Sequence, residues 1–320
     1  MIQNKINTVS IVVSVYNEEE SIASFFDTTT KILSQQNDKN FELIFVNDGS
    51  KDKSQEILNT LIEKAGFSNI RFKTIEFSTN FGHEAAMIAG IDYSDADAII
   101  CMDADLQHPP EYIEKIINKF EKGYDIVNMV RKKRKDNGFF KNFLSGTFYK
   151  IMNKVSDYSF DKNSSDFFGI TKQIAEILKT NFRERNRFLR GYIQIIGFNK
   201  TTIEFTAPKR FAGESKYSYR RLMSLASIAL LSFSKKPLYF ALLVSLFFIL
   251  FTFVISVYSI YMYFWGDNPP SGYTTLIIFM SIGFSLMFVL IAILSLYIGR
   301  SYDEIKERPI YLVKNSRIKK

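Results

Sequence analysis

In AIICMDADLQHPPE, residues 98–111, five apolar residues run into an aspartate, and a second aspartate follows across a single alanine. A short apolar run bounded by polar residues reads as a buried strand, which puts Asp103 and Asp105 at its carboxyl end. Two carboxylates placed this way suit a hard divalent cation that keeps some waters and takes its remaining ligands from phosphates. The alternative is plainer: Asp105 caps the next helix and Asp103 is merely solvated.

Working outward, the first 130 residues alternate between strand and helix patterns. SIVVSV (10–15), FELIFV (41–46) and RFKTIEF (71–77) are β-branched or aromatic runs, and AIICMD (98–103) is the fourth. Between and after them, SIASFFDTTTKILSQ (21–35), KSQEILNTLIEKA (53–65), HEAAMIAGIDYS (83–94) and PEYIEKIINKFEKG (110–123) have helical spacing. Such units predict an α/β fold with a doubly wound, mostly parallel sheet, whose ligands bind beyond the carboxyl ends of the strands. Polar clusters stand at those ends: Tyr16-Asn17-Glu18-Glu19-Glu20, Asn47-Asp48-Gly49-Ser50-Lys51-Asp52, and Asp103 to Glu111. Asp-Gly-Ser at 48–50 is by itself an ordinary turn signature.

The net charge of +8 is unevenly spread: residues 1–208 sum to −1, 209–236 to +6 and 300–320 to +4. The cations therefore flank the most apolar part of the chain, which points to membrane headgroups more than to nucleic acid. Between Lys236 and Arg300 the only charged side chain is Asp267, inside the turn-forming GDNPPSG. Leu238–Trp265 and Tyr273–Gly299 each exceed the ~20 residues needed to cross ~30 Å of hydrocarbon. The expectation is a transmembrane hairpin with both ends in the cytoplasm by the positive-inside rule. Tyr217–Phe233 has the stripe of an interfacial amphipathic helix, with a core helix as the alternative. The boundaries that follow are 1–215 for a cytosolic domain, 216–236 for the interfacial region, 237–299 for the hairpin and 300–320 for a basic cytosolic tail. MIQNKINTVSIVVSVYNEEE has no secretory pattern, and the single cysteine, Cys101, permits a reducing compartment.

Taken together, VSVYNEEE, VNDGSKD, NFGHEAAMIAGID, MDADLQHPPE, GYDIVNMVRKKR, RFLRGYIQIIGF, APKRFAGESKYS and the closing YIGRSYDEIKERPIYLV resemble the family 2 glycosyltransferases of GT-A fold. More narrowly they resemble the polyprenyl-phosphate glycosyltransferases related to dolichyl-phosphate mannose synthase and the bactoprenol glucosyltransferases, along essentially the whole chain. The resemblance implies transfer of a sugar from a nucleotide sugar, a UDP-hexose such as UDP-glucose by analogy, to a polyprenyl phosphate such as undecaprenyl phosphate. It also implies inversion, Mg2+ or Mn2+ as cofactor, a cytoplasmic-membrane location and a homo-oligomer, tetrameric in bacterial relatives.

Residue by residue, the resemblance assigns Tyr16, Glu18 and Asp48 to the base and ribose, and Asp103, Asp105 and Gln107 to the metal and diphosphate. Arg131 goes to the phosphates, with Arg134 second; a solvated charge run is the other reading of that basic cluster. Arg210, Ser215 and Lys216 go to the lipid phosphate, with simple headgroup attraction as the alternative. Asp166 is the carboxylate expected near the attacking oxygen. His83 and His108 have no nucleophile-type partner nearby and read as helix-start or loop residues. The chain departs from the family at Asn47, where an aspartate is usual, at Thr79, where an arginine is, and at Asp166-Phe167-Phe168-Gly169, which loses a cation near the acceptor. The rivals are a processive or protein-directed transferase, whose usual Gln-x-x-Arg-Trp element is missing, and an inactive membrane scaffold or flippase partner that kept the fold.

Overall fold

The computed structural model of the protein describes residues 5–132, 164–185, 187–208, 236–265 and 272–319. The alternating units stand where the patterns put them: β1 (Thr8–Val15), α1 (Ile22–Ser34), β2 (Asn40–Asn47), α2 (Ser54–Lys64), β3 (Ile70–Phe77), α3 (His83–Asp92), β4 (Ala98–Asp103) and, after a short 3₁₀ turn, α4 (Ile113–Glu121). There follow β5 (Ile126–Arg131), β6 (Ser164–Thr171), α5 (Lys172–Asn181), α6 (Leu189–Ile195) and β7 (Lys200–Phe205).

The strands form one eight-stranded sheet in the order β7-β5-β6-β4-β1-β2-β3-β8, where β8 is Val313–Lys319. The pairs β1–β2, β2–β3, β1–β4 and β5–β7 are parallel, whereas β6 runs antiparallel to both β4 and β5. Successive side chains of a strand point to opposite faces, and β1 shows the consequence. Val9, Ile11, Val13 and Val15 join Phe25, Phe26, Leu58, Ile116 and Phe120 from α1, α2 and α4 in one core. Ser10 and Ser14 lie on the other face, bonded to Ser94, just past α3, and to His83 at its start. β1 is flanked by β2 on one side and β4 on the other, so the sheet reverses its winding there, and in such sheets the ligand crevice lies beyond the carboxyl ends of the strands at that point, here β1 and β4.

The chain divides into two compact units, the sheet domain with residues from 309 onward, and a second unit containing the two long helices. Within 300–320, read from sequence as a basic tail, the described residues 300–319 are structured: α8 (Tyr273–Ile305) extends past Arg300, and β8 pairs antiparallel with β3. Tyr311 stacks on Phe77 at 5.1 Å and donates to Asp92 Oδ2 at 2.8 Å. Lys319 Nζ reaches the carbonyls of Ile62, Glu63 and Ala65 at the end of α2, at 2.7–2.9 Å.

In the second unit, α7 (Lys236–Trp265) and α8 have 30 and 33 residues, or about 45 and 50 Å of helix at 1.5 Å per residue. Two stretches, Leu238–Met262 and Thr275–Ile305, have a mean hydropathy of 2.8 and hardly any buried residues. A pair of soluble core helices would instead bury them. Their mutual contact is aromatic, with Phe248 stacked on Phe279 at 5.7 Å. The expected interfacial helix 217–233 lies outside the described residues.

Candidate active site

Two loops at the crevice are laced together. Asn17 Oδ1 accepts from Lys51 N–H and Ser50 Oγ accepts from Asn17 N–H, while Ser54 Oγ accepts from Glu18 N–H at 2.8 Å. The Glu18 carboxylate takes the Ser21 hydroxyl at 2.7 Å, holding the start of α1. Tyr16 and Glu18 are both half-buried at this rim. Asn47, standing where the family's aspartate would be, accepts from Ser50 N–H and donates to Gln55, and so serves the turn.

Asp48 is 2% exposed. Its carboxylate accepts from Phe81 N–H at 2.6 Å, from Gly82 N–H at 2.9 Å and from Asn80 Nδ2 at 2.9 Å. Both oxygens thus bond to the turn between β3 and α3. Burial raises this carboxyl above its usual range, and the Phe81 and Gly82 donors pull against that. Gly82 has φ 97° and Gly49 has φ 66°, and a Cβ on Gly49 would fall 2.5 Å from the Thr79 carbonyl carbon. Neither position tolerates an ordinary side chain.

At the end of β4, Leu106 sits at φ 59°, a left-handed conformation costing about 1–2 kcal/mol for a non-glycine residue. The turn it makes brings Gln107 N–H back to Asp105 Oδ1 at 3.0 Å. Asp103 is partly exposed, and its nearest histidine contacts stand at 3.5 Å to His83 Nε2 and 3.6 Å to His108 Nδ1, longer than hydrogen bonds. Among the described residues no three His, Cys, Asp or Glu side chains converge as a metal cage. Two hard oxygen donors with room left on Asp103 fit a Mg2+ or Mn2+ ion completed by phosphate and water. Gln107 is turned elsewhere: its Oε1 accepts from Arg131 Nη1 at 3.2 Å, while the Arg131 guanidinium lies 6.0 Å from the Phe205 ring. His108 is fully buried, accepts Asp103 N–H at 2.9 Å and stacks on Phe167; its burial lowers its affinity for a proton.

Asp166, on β6, is clasped by Arg190 of α6, whose Nε donates to Oδ1 and whose Nη2 donates to Oδ2 at 2.6 Å. Burial works to raise this carboxyl, but Arg190 and then His83 outweigh it and hold it well below the usual carboxylate range. Arg190 is thus the cation that pairs with Asp166. His83 also belongs to the site: Nδ1 meets Ser14 Oγ at 2.7 Å, and Nε2 lies 3.5 Å from both Asp103 and Asp166. Burial opposes its charge, yet Asp103 and Asp166 raise its pKa to about 9. Next to it, Glu84 accepts from Leu189 N–H at 2.5 Å, with burial first and Asp166 second raising it to about 7. The structure thus brings together Asp103, Asp105, Gln107, Arg131 and Asp166, and adds His83 and Arg190, which the sequence reading left unassigned. Arg134, Arg210, Ser215 and Lys216 lie outside the described residues.

A mostly parallel sheet with carboxylates at the ends of its central strands is the GT-A class of nucleotide-sugar fold. The family model "Glycosyl transferase family 2" matches residues 10–178. The chain is 37% identical over 313 residues to "Uncharacterized glycosyltransferase YkcC" of Bacillus subtilis (strain 168), covering 96% of this chain and 93% of that one. It is 34% identical over 308 residues to "Bactoprenol glucosyl transferase" of Shigella phage SfII, covering 96% and 98%. A solved structure of glucosyl-3-phosphoglycerate synthase from Mycobacterium tuberculosis superposes with a TM-score of 0.46 at 15% identity, over 70% of this chain and 79% of that one. The chain belongs to glycosyltransferase family 2 and is a sugar-transferring enzyme.

Proposed function

We propose that the chain transfers a hexose, glucose being the first to test, from a uridine diphosphate sugar to the phosphate of a membrane polyprenyl phosphate such as undecaprenyl phosphate, with inversion. One observation carries the reading: a single chain sets carboxylates at a sheet crevice, runs through two bilayer-length helices, and returns to the same sheet as β8. The substrate classes are supported by the near-full-length likeness to bactoprenol glucosyl transferases, which takes in both parts of the chain. Because β8 shares a sheet with β1, the segments before and after the hairpin lie on one side of any bilayer it crosses. Lys235, Lys236, Arg300, Lys306 and Arg308 favour the cytoplasm for that side.

In the proposed reaction a phosphate oxygen of the lipid bonds to the anomeric carbon as the bond from that carbon to the diphosphate oxygen breaks, and UDP leaves with the electron pair. A phosphate monoester has a second pKa near 6, so the attacking oxygen is already ionised and needs no strong base. Asp166 fits this: kept ionised by Arg190, it orients and does not take up a proton. Asp103 and Asp105 would hold Mg2+ or Mn2+, which supplies charge stabilisation to the leaving diphosphate. Arg131, already turned towards Gln107, is the phosphate-facing cation. Arg210, Ser215, Lys216 and Arg134 are proposed for the lipid phosphate on the family resemblance.

The test is to incubate membranes bearing the full chain with radiolabelled UDP-glucose and undecaprenyl phosphate, with and without chelator. Label should move into the lipid extract only when divalent metal is present. Label that stays in water with every UDP-hexose tried, or transfer indifferent to chelator, overturns the reading.

A further inference from the structure

The strand registers put three polar side chains in one row at the mouth of the crevice. Ser14 of β1 is paired with Asp103 of β4, and the last β4–β6 pair is Cys101 with Phe168; Asp103 and Asp166 each lie two residues beyond that pair, and both are within 3.5 Å of His83 Nε2. Side chains in register share a face, here the face covered by α3. The first residue of α3 reaches all three, with His83 Nδ1 2.7 Å from Ser14 Oγ and its Nε2 3.5 Å from Asp103 Oδ1 and 3.5 Å from Asp166 Oδ2. The Nε2 atom is buried and has no partner at hydrogen-bond distance in its own right. It is shared evenly between two carboxylates that would otherwise repel across adjacent strands.

His83 is also held firmly from behind. The turn before it is tied to buried Asp48 through Phe81 N–H and Gly82 N–H. At the far end of α3, Asp92 is bonded by Arg183 at 2.8 Å and by Tyr311. A ring fixed at both ends of its helix, with one nitrogen between a metal-side and an acceptor-side carboxylate, has the geometry of a spacer.

We propose that His83 is a positioning residue that sets the spacing of Asp103 and Asp166, and thereby the alignment of the donor diphosphate with the attacking phosphate. This rests on the reading given under Proposed function and adds a residue that the reaction as written there does not use. Partners that orient a metal ligand typically change metal affinity or activity by about 10–100-fold when removed.

The test uses the purified full chain and two near-isosteres. The amide nitrogen of His83→Gln falls near Nε2, and that of His83→Asn near Nδ1. Three quantities are read: Mn2+ affinity in the presence of UDP by electron paramagnetic resonance, kcat against KM for UDP-glucose, and the melting temperature. His83→Asn should weaken Mn2+ binding by about tenfold and lower kcat by at least as much, with KM changed far less, while His83→Gln keeps most of both at an equal melting temperature. Adding Asp166→Asn to His83→Asn should lower kcat little beyond the single variant, because one spacing has already been lost. The proposal is overturned if the Asn and Gln variants behave alike, if Mn2+ affinity is unchanged in both, or if the two losses multiply. Asp103→Asn is the separating control. If it binds Mn2+ as the parent does, the metal reading itself has failed; if it loses Mn2+ while both His83 variants keep it, only the role of His83 has.

Discussion

Asp48 follows the last residue of β2 and Asp103 ends β4, so both terminate buried parallel strands at the same rim of the sheet, and each is followed by a small residue. Their surroundings differ. Asp48 is 2% exposed and takes donors from Phe81, Gly82 and Asn80, whereas Asp103 keeps about a quarter of its side chain, 27%, open and, among the described residues, has only the two longer histidine contacts. A carboxylate whose lone pairs are filled by backbone donors braces a loop; one whose lone pairs are left over can take a cation. Position at a strand end does not separate the two, but the hydrogen-bond count does.

Exchanging each for its amide should therefore produce opposite results. Asp103→Asn removes the charge that would hold the metal, and transfer should fall by roughly 10²–10³-fold, the usual size for losing one preorganised electrostatic partner. The melting temperature should change little, since the repulsion from Asp166 that is relieved offsets the attraction to His83 that is lost. Asp48→Asn should do the reverse: its NH2 would confront N–H donors in a buried place, at a cost of about 3 kcal/mol. Urea unfolding reads the stability and the lipid-extraction assay reads kcat. A stable but inactive Asp48→Asn protein would erase the contrast between the two ends and return Asp48 to the substrate.

Gly49→Ala sharpens the comparison on the backbone side. The added Cβ meets the Thr79 carbonyl carbon at 2.5 Å, and φ is 66°. Strain of this kind costs about 1–3 kcal/mol. The expected loss of about 2 kcal/mol should appear in urea unfolding, with kcat per folded molecule retained. A fall in kcat without any shift in the unfolding midpoint would mean that the turn faces substrate.

How much of this could be read beforehand follows from where the information sits. β1 to α4 were legible because parallel strands covered on both faces are continuous apolar runs and the helices between them keep a 3.6 period. Asp103 and Asp105 were legible for the same reason, as the residues on which such a run stops. β8 was not: VKNSRIK carries only Val313 and Ile318 as large apolar residues, and it is a strand because the β3 edge offers it hydrogen bonds, a tertiary cause. Polar edge strands of this sort protect a sheet from further pairing. His83 escaped for a related reason. Its role depends on three strands being in register with one another, and the residues concerned, Ser14, Asp103 and Asp166, are separated by up to 152 positions. Asp48 was not decidable from sequence, because Asp-Gly-Ser has the same spelling whether the carboxylate faces a ligand or its own neighbouring loop.

The smallest expected effect concerns the chain's return from the hairpin. Tyr311 lies on Phe77, which packs edge-on against Phe81 at 5.7 Å, and Phe81 is one of the donors to Asp48. Its hydroxyl bonds Asp92, at the far end of the helix that begins with His83, and burial, followed by that contact, pushes the Tyr311 hydroxyl above its ordinary pKa. Removing the hydroxyl alone, by Tyr311→Phe, keeps the stack and loses one hydrogen bond to a charged group, while Arg183 still pairs with Asp92 at 2.8 Å. The cost should be about 1 kcal/mol in unfolding, with KM for the donor changed less than twofold. Tyr311→Ala also removes the stack on Phe77 and should cost more, and any rise in donor KM should appear in that variant alone. If Tyr311→Phe by itself raises donor KM severalfold, then the Asp92 bond, and not the aromatic stack, is what carries the C-terminal strand's influence to the end of β2.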